Sequence, residues 1–175
     1  DGVTTDSGYD RLNRLISVTG GGPTSTYSYY GPSWMRKNAT VGGVSTGYTY
    51  DGMACVSQTT GGVSTVYGVP GSTPLWETTG GSALTYAMDG RGNVTGLFGA
   101  AGFTAKFNYD AFGNVKTTDG AGLPIANTSG PRFGGELYDS ATDQVYLRNR
   151  YYSPGTGRFN VMDMAGSPNG PNRYG

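Results

Sequence analysis

The stretch that decides the fold is residues 131–163, which read PRFGGELYDSATDQVYLRNRYYSPGTGRFNVMD. Aromatic residues, glycines and arginines fill most of it, and two aromatic-rich turns flank the run at 144–152. Side chains in that run alternate between two faces well enough to form one β-strand, and the Pro-Gly pair that begins at Pro154 then ends the strand. The stretch therefore predicts a strand held between turns at the C-terminal side of the chain.

Upstream of this stretch, residues 9–122 alternate two kinds of turn. One kind carries a Tyr-Asp or Asp-Gly pair, and the other is a pair of glycines or a glycine-rich tip. When the turns of the first kind are aligned, one position that is mostly tyrosine recurs about every 21 residues. Its members are Tyr9, Tyr29, Tyr50, Tyr67, Met88 and Tyr109. A fixed period of this length indicates stacked supersecondary units.

Strands fit the spaces between these turns. Five to eight residues separate consecutive turns, which suits a strand and is short for a helix. The turns are rich in Gly, Asn and Asp, which tolerate positive φ in hairpin connections. We therefore predict an all-β fold, an antiparallel meander of about eleven strands. Residues such as Tyr27, Tyr48 and Phe107 alternate with Ser, Thr and Asn, so one face should be sheltered and the other wet.

Both patterns resemble a known family. Residues 133–163 follow FGG-x-x-YD-x-x-T-x-x-x-YLR-x-RYY-x-P-x-TGRF-x-x-x-D, which resembles the Rhs-associated core segment. Residues 9–15 and 109–115 resemble YD repeats most closely. Such segments occur in Rhs polymorphic toxins, Tc toxin C-components and teneurin-like shells. The resemblance implies that the hairpins curl into part of a hollow shell, which the core segment turns inward to cap.

The resemblance also implies a division of the chain. We expect YD-repeat hairpins over residues 1–122, a linker over 123–130, the Rhs-associated core or cap over 131–166, and a tail over 167–175. The cap should be shaped by a set of rings, glycines and arginines: Phe133, Gly134, Gly135, Tyr138, Arg150, Tyr151, Tyr152, Gly157, Arg158 and Phe159. Arginines among these rings are expected to stack on them and to pair with nearby acids, rather than to stack on bases.

Two aspartates are candidate catalytic residues. In the related toxins a pair of aspartates around the core segment is implicated in self-cleavage, and Asp139 and Asp163 are the candidates here. Two carboxylates that share a proton can hydrolyse a peptide bond without histidine. The chain departs from the family where Ser153, Met164 and Ser167 replace its Asp, Pro and Leu. These changes favour turn capping by the two aspartates, and a non-enzymatic role.

Composition excludes several other classes of function. The chain has no histidine and one cysteine, Cys55, which removes Ser-His and Cys-His catalysis and the usual zinc sites, and we expect no cofactor and no metal. Lysine plus arginine equals aspartate plus glutamate, at 12 each, so there is no basic bias for nucleic acid. No apolar run approaches the roughly 20 residues of a membrane span. The start at Asp1, without Met, favours an internal or processed fragment.

Three functions remain open. The leading hypothesis is a structural shell module that encloses or presents a C-terminal toxin or effector. Its partners would be upstream YD repeats, an enclosed toxin segment or other copies of the chain, and the resemblance implies a secreted or cell-surface bacterial protein. The first alternative is a self-assembling fibre, adhesin or glycan-binding surface, because an open meander leaves strand edges that can pair. The second alternative is the aspartate-dependent self-protease.

Overall fold

The two kinds of turn fold the chain into a series of hairpins. The computed structural model describes residues 4–162, and its main element is a twelve-stranded antiparallel sheet in which each strand pairs with the next in sequence. The strands are β1 (Asp6–Tyr9), β2 (Leu15–Thr19), β3 (Ser25–Tyr29), β4 (Arg36–Val41), β5 (Val44–Asp51), β6 (Ala54–Thr60), β7 (Val63–Gly68), β8 (Trp76–Thr79), β9 (Ser82–Met88), β10 (Val94–Gly99), β11 (Gly102–Tyr109) and β12 (Val115–Thr118). The predicted all-β meander is confirmed, with twelve strands and an unclosed sheet.

The glycine pairs make the tightest turns. Gly42 and Gly43 join β4 to β5 with φ values of 54° and 86°. Two-residue turns with positive φ at both positions match the right-handed twist of the flanking strands, and glycine adopts that conformation without steric cost. The pairs that begin at Gly61 and Gly80 repeat the same geometry.

The aspartate turns share one hydrogen-bond pattern. The Oδ1 atom of Asp89 accepts the backbone N–H groups of Arg91 and Asn93, each at 2.9 Å, and its Oδ2 atom accepts the Asn93 side-chain amide at 2.7 Å. Asp110 repeats this pattern two strands later. The side-chain hydrogen bond from the asparagine, followed by the backbone bonds, lowers the pKa of Asp89.

One face of the sheet carries the core, and we call it the inner face. Its central positions are buried aromatic residues on every second strand, from β3 to β11: Tyr27, Tyr48, Tyr67, Tyr86 and Phe107. The outer face carries exposed hydroxyl and amide side chains, among them Thr26, Thr49, Ser64, Thr85 and Asn108. The predicted division into a sheltered face and a wet face is confirmed.

A second, five-stranded sheet covers the inner face, and we call it the cap. Its strands are β13 (Gly130–Pro131), β14 (Leu137–Asp139), β15 (Gln144–Tyr146), β16 (Tyr151–Ser153) and β17 (Arg158–Phe159). All four pairings are antiparallel and sequential. A single 3₁₀ turn at Phe133–Gly135 separates β13 from β14.

The prediction of one strand over residues 144–152 is wrong. The Leu147 N–H donates to the Arg150 carbonyl at 2.9 Å, and Arg148 has φ of +61°, so the run turns back between β15 and β16. In a single strand Tyr146 and Tyr151 would face opposite sides. The turn makes them cross-strand partners instead, and both rings then point to the sheet.

The two edges of the large sheet differ. Beyond β12 the chain runs along the strand, where the Ile125 N–H donates to the Thr117 carbonyl at 3.1 Å and Pro124 bridges to Thr118. The Asn127 side chain also bonds the Thr117 hydroxyl. Within residues 4–162, no strand pairs with the outer edge of β1. No helix of this described part is long and apolar enough to cross a membrane.

Candidate functional site

The candidate site is the seam between the inner face and the cap, and a buried arginine lies at its centre. Arg36 extends from β4, and only 1% of the residue is exposed. Its Nη1 atom donates to Asp139 Oδ2 at 2.9 Å and to Tyr151 Oη at 3.0 Å. Four rings surround the guanidinium carbon, with centroids 4.3 to 5.9 Å away: Tyr27, Tyr48, Tyr146 and Tyr151.

A bulge in the sheet aims Arg36 inward. The register between β3 and β4 shifts between Ser28 and Tyr29, so Arg36 and Ala39 both face the cap although they are three residues apart. In a regular strand residues three apart point to opposite faces. Sequence reasoning missed Arg36 because it stands next to Lys37 and looks like part of an exposed basic pair.

The surroundings of Arg36 keep its charge in the interior. Burial alone lowers the pKa of the guanidinium, but the hydroxyls of Tyr151 and Tyr48 and the Asp139 carboxylate outweigh burial and raise this pKa above its usual value. The backbone N–H of Arg36 also donates to Tyr146 Oη at 2.8 Å, and that hydroxyl donates to the Trp34 carbonyl at 2.6 Å. Sheet and cap are therefore joined by connected buried hydrogen bonds.

Asp139, a predicted catalytic residue, is the acid of this buried pair. The residue is 4% exposed, and its Oδ1 atom also accepts the Ala141 N–H at 3.1 Å, which is the Asx turn expected from the sequence. Asp163, the second candidate, lies outside the described residues. The pairing of the two carboxylates for self-cleavage therefore stays a prediction.

A second buried arginine joins the cap to the other half of the sheet. The Arg132 guanidinium lies 3.9 Å from the centroid of Phe107. Its Nη atoms donate to the Pro131 carbonyl at 2.7 Å and to the carbonyl and hydroxyl of Thr128 at 3.0 Å. The Arg132 carbonyl in turn accepts the Val94 N–H at 2.9 Å. Burial lowers the pKa of this guanidinium.

The N-terminal members of the predicted cap set lie near this second arginine. Phe133 packs against Tyr109, with ring centroids 5.7 Å apart. Its ring covers Gly113, where a Cβ atom would lie 2.8 Å from the ring, so only glycine fits. Gly134 and Gly135 have φ of 63° and 72°, and the Gly134 N–H donates to Asn93 Oδ1 at 2.8 Å. These residues connect the cap to an aspartate turn.

The remaining members lie on both faces of the cap. Tyr151 faces Arg36, while Tyr138 bonds to the Asp143 carboxylate and accepts the Asn127 amide at 3.4 Å. Stacked rings and arginines form the other face, where Arg150 lies 3.6 Å from the centroid of Phe159, and Tyr152 packs on the same ring at 5.6 Å. The Tyr152 hydroxyl donates to the Phe112 carbonyl at 2.9 Å, beside Gly157. Arg158 is exposed in β17.

Arginine and acid pairing inside the cap follows the prediction in part. Arg148 forms two parallel hydrogen bonds with the Glu136 carboxylate, at 2.7 and 2.9 Å. Cys55 packs half-buried between the two core clusters, and burial raises the pKa of its thiol to about 11. Among residues 4–162, no group of three or more His, Cys, Asp or Glu side chains is placed to hold a metal ion.

Comparison with known proteins relates the fold to two kinds of large bacterial protein. No protein-family model matches the chain. It is 35% identical over 164 residues to the tRNA(Glu)-specific nuclease WapA of Bacillus subtilis subsp. natto, covering 89% of this chain and 7% of that protein. It is 37% identical over 73 residues to the tRNA3(Ser)-specific nuclease WapA of Bacillus spizizenii, covering 41% of this chain and 3% of that protein.

Solved structures with this fold include Tc toxin components. The chain superposes on the crystal structure of TcdB2-TccC3-Cdc42 with a TM-score of 0.69 at 15% identity, over 97% of this chain and 9% of that chain. It superposes on a Tc holotoxin pore of Photorhabdus luminescens with a TM-score of 0.67 at 16% identity, again over 97% and 9%. The chain spans less than a tenth of the length of these relatives, and at these identities the likeness concerns the fold.

Proposed function

We propose that this chain is the closing segment of a secreted Rhs/YD-repeat shell. The large sheet forms part of the wall, and the cap ends it. The observation that carries the proposal is the closure of the inner face by the chain's own C-terminal segment, through the buried Arg36 and Asp139 pair. The fold likeness to TccC3 structures over 97% of the chain supports the same role.

Because the two edges of the sheet differ, the wall can be extended by further strands at only one of them. Strands can be added at β1, whose outer edge has no strand partner within residues 4–162, and upstream YD repeats are the natural occupants. At β12 the stretch that contains Pro124 and Asn127 occupies the edge instead. Proline lacks the N–H that a further ladder would need. In the parent protein the wall would thus grow from one side only and end at the cap, enclosing an effector segment.

Light scattering separates this role from that of a self-assembling fibre. A fibre needs two open edges on each copy, so the purified chain should stay at a small, fixed mass as its concentration rises. The variant that combines Pro124→Val and Asn127→Ala should uncover the β12 edge and form larger particles as concentration increases. Growth of the unaltered chain into large assemblies would contradict the shell role and favour the fibre.

A further inference from the structure

A cavity of about 410 Å³ lies between the large sheet and the cap. Three parts of the chain bound it: the tip of the β5–β6 hairpin, the loop between β7 and β8, and the cap from β13 to the turn after β15. Its walls are mainly apolar and aromatic, with Tyr50, Met53, Cys55, Pro74, Leu137 and Tyr146 among them. Pockets that bind small molecules have this size and this kind of lining.

The cavity exists because one repeat is irregular. On one side of the cavity the Tyr146 hydroxyl of the cap donates a hydrogen bond to the Trp34 carbonyl. On the other side the Gly134 N–H of the cap donates to Asn93 Oδ1. Between these contacts the β5–β6 turn has only two residues, and the loop at 69–75 lacks an aspartate turn. Neither reaches far enough to fill the space under the cap.

The charges around the cavity favour a cation. Its charged lining residues are Asp51, Glu136 and Arg148. Arg148 forms two hydrogen bonds with Glu136, so these two charges compensate each other. Asp51 then leaves the lining with one net negative charge at neutral pH. The aromatic side chains of Tyr50 and Tyr146 also line the cavity.

Arg148 is held in place by an unusual backbone conformation. Its φ of +61° lies in the left-handed region, which arginine rarely adopts. The tight turn from Leu147 to Arg150 imposes this conformation and directs the guanidinium to Glu136. Positions of this kind concentrate at binding sites, where the surrounding fold holds them.

We propose that this cavity binds an amphipathic amine, an apolar body that carries one ammonium group. The body packs against the apolar walls, and the ammonium group lies near the Asp51 carboxylate. The same chemistry is supplied by a free arylalkylamine and by a lysine side chain of a bound protein segment. The proposal does not depend on the shell role, since it concerns a space that sheet and cap form in any context.

Three probes of nearly equal size test the charge preference. They are 2-phenylethylamine, 2-phenylethanol and phenylacetate, titrated into the chain and followed by NMR chemical shifts and calorimetry. The amine should bind about two- to fivefold more tightly than the alcohol, which is what an ion pair with an exposed carboxylate contributes, and phenylacetate should bind most weakly. Tightest binding of phenylacetate, or no saturable binding of any probe, would overturn the proposal.

Two variants test whether the probes bind in this cavity. Asp51→Asn removes the charge and keeps the turn, because residue 51 is the last position of β5 and the turn itself consists of Gly52 and Met53. It should remove the advantage of the amine over the alcohol, whereas Asp6→Asn, an equal charge change on exposed β1, should leave it unchanged. Cys55→Leu should fill the cavity and weaken all three probes more than tenfold. Unchanged binding in a folded Cys55→Leu protein would overturn the assignment.

The source of the ligand is resolved by one further probe. Nα-acetyl-lysine amide carries the ammonium group on the flexible stem of a protein side chain. If it binds more tightly than 2-phenylethylamine, the cavity receives a lysine of a protein segment. If 2-phenylethylamine binds more tightly, the cavity takes a free aromatic amine. Both results concern the cavity alone, so they are independent of the light-scattering test of the shell role.

Discussion

Two buried arginines join the cap to opposite halves of the sheet, and they are satisfied in different ways. Arg36 belongs to the sheet, reaches into the cap and pairs with Asp139. Arg132 belongs to the cap, reaches onto the sheet, and bonds carbonyl and hydroxyl oxygens while it stacks on Phe107. The first arrangement contains two opposite charges and the second contains one. Removal of one partner should therefore lower the free energy of unfolding by different amounts in the two halves of the seam.

The largest effect is expected when the acid of the first pair is removed. Asp139→Ala leaves the Arg36 charge buried without its carboxylate, which should lower the free energy of unfolding by about 3–5 kcal/mol. The double variant Arg36→Met, Asp139→Leu should recover most of this loss, since it leaves no buried charge behind. Urea denaturation of the three proteins measures both values. Equal destabilisation in the single and double variants would show that the charge is not what matters at this end.

Removal of the second arginine should cost less. Arg132→Met deletes hydrogen bonds to the Pro131 and Thr128 oxygens but leaves no opposite charge unpaired, so about 1–3 kcal/mol is expected. The apolar side chain keeps part of the packing on Phe107. The same denaturation series measures it beside Asp139→Ala. A larger loss for Arg132→Met than for Asp139→Ala would reverse the comparison.

Smaller effects are expected on the far face of the cap. Tyr152→Phe removes an exposed hydrogen bond to Phe112 and should cost about 0.5–1 kcal/mol, while Arg150→Ala removes the stacking on Phe159 and should cost about the same. Both should raise the rate of limited proteolysis within the cap more than within the sheet. Unchanged thermal midpoint and proteolysis in both variants would show that these rings do not anchor the cap.

The aspartate turns should make the sheet sensitive to acid. Hydrogen bonds from the paired asparagine side chains lower the pKa of Asp89 and Asp110 below the ordinary value of 3.8. A lowered folded-state pKa contributes stability that is present above about pH 4 and is lost as the pH falls through the folded-state value. Denaturation midpoints between pH 5 and pH 2 should therefore fall less in the Asp89→Asn, Asp110→Asn protein than in the parent.

The sequence predicted the parts of the fold that depend on local patterns. The glycine pairs and the alternation that includes Tyr27, Tyr48 and Phe107 act within a hairpin, so the meander and its two faces could be predicted directly. The turn at Leu147 to Arg150 was missed because alternation continues through it. No local signal marks it, and the packing of Tyr146 beside Tyr151 against the sheet decides it.

The seam was only partly predictable. The ring and glycine positions of the cap were identified from the resemblance, but their partner Arg36 lies 103 residues before Asp139 and is turned inward by a one-residue register shift. Long-range pairs of this kind leave no periodic trace. The cavity beside Tyr50 likewise depends on the lengths of two separate turns and on where the cap begins.

Hydrogen exchange tests most directly whether sheet and cap form one cooperative unit through the seam. Measured by mass spectrometry at neutral pH, the amides of β14 and β15 should exchange as slowly as those of β4 and β5, and Asp139→Ala should accelerate both sets together. Fast exchange in the cap of the unaltered protein, with the sheet still protected, would contradict this, because the cap would then open independently of the sheet.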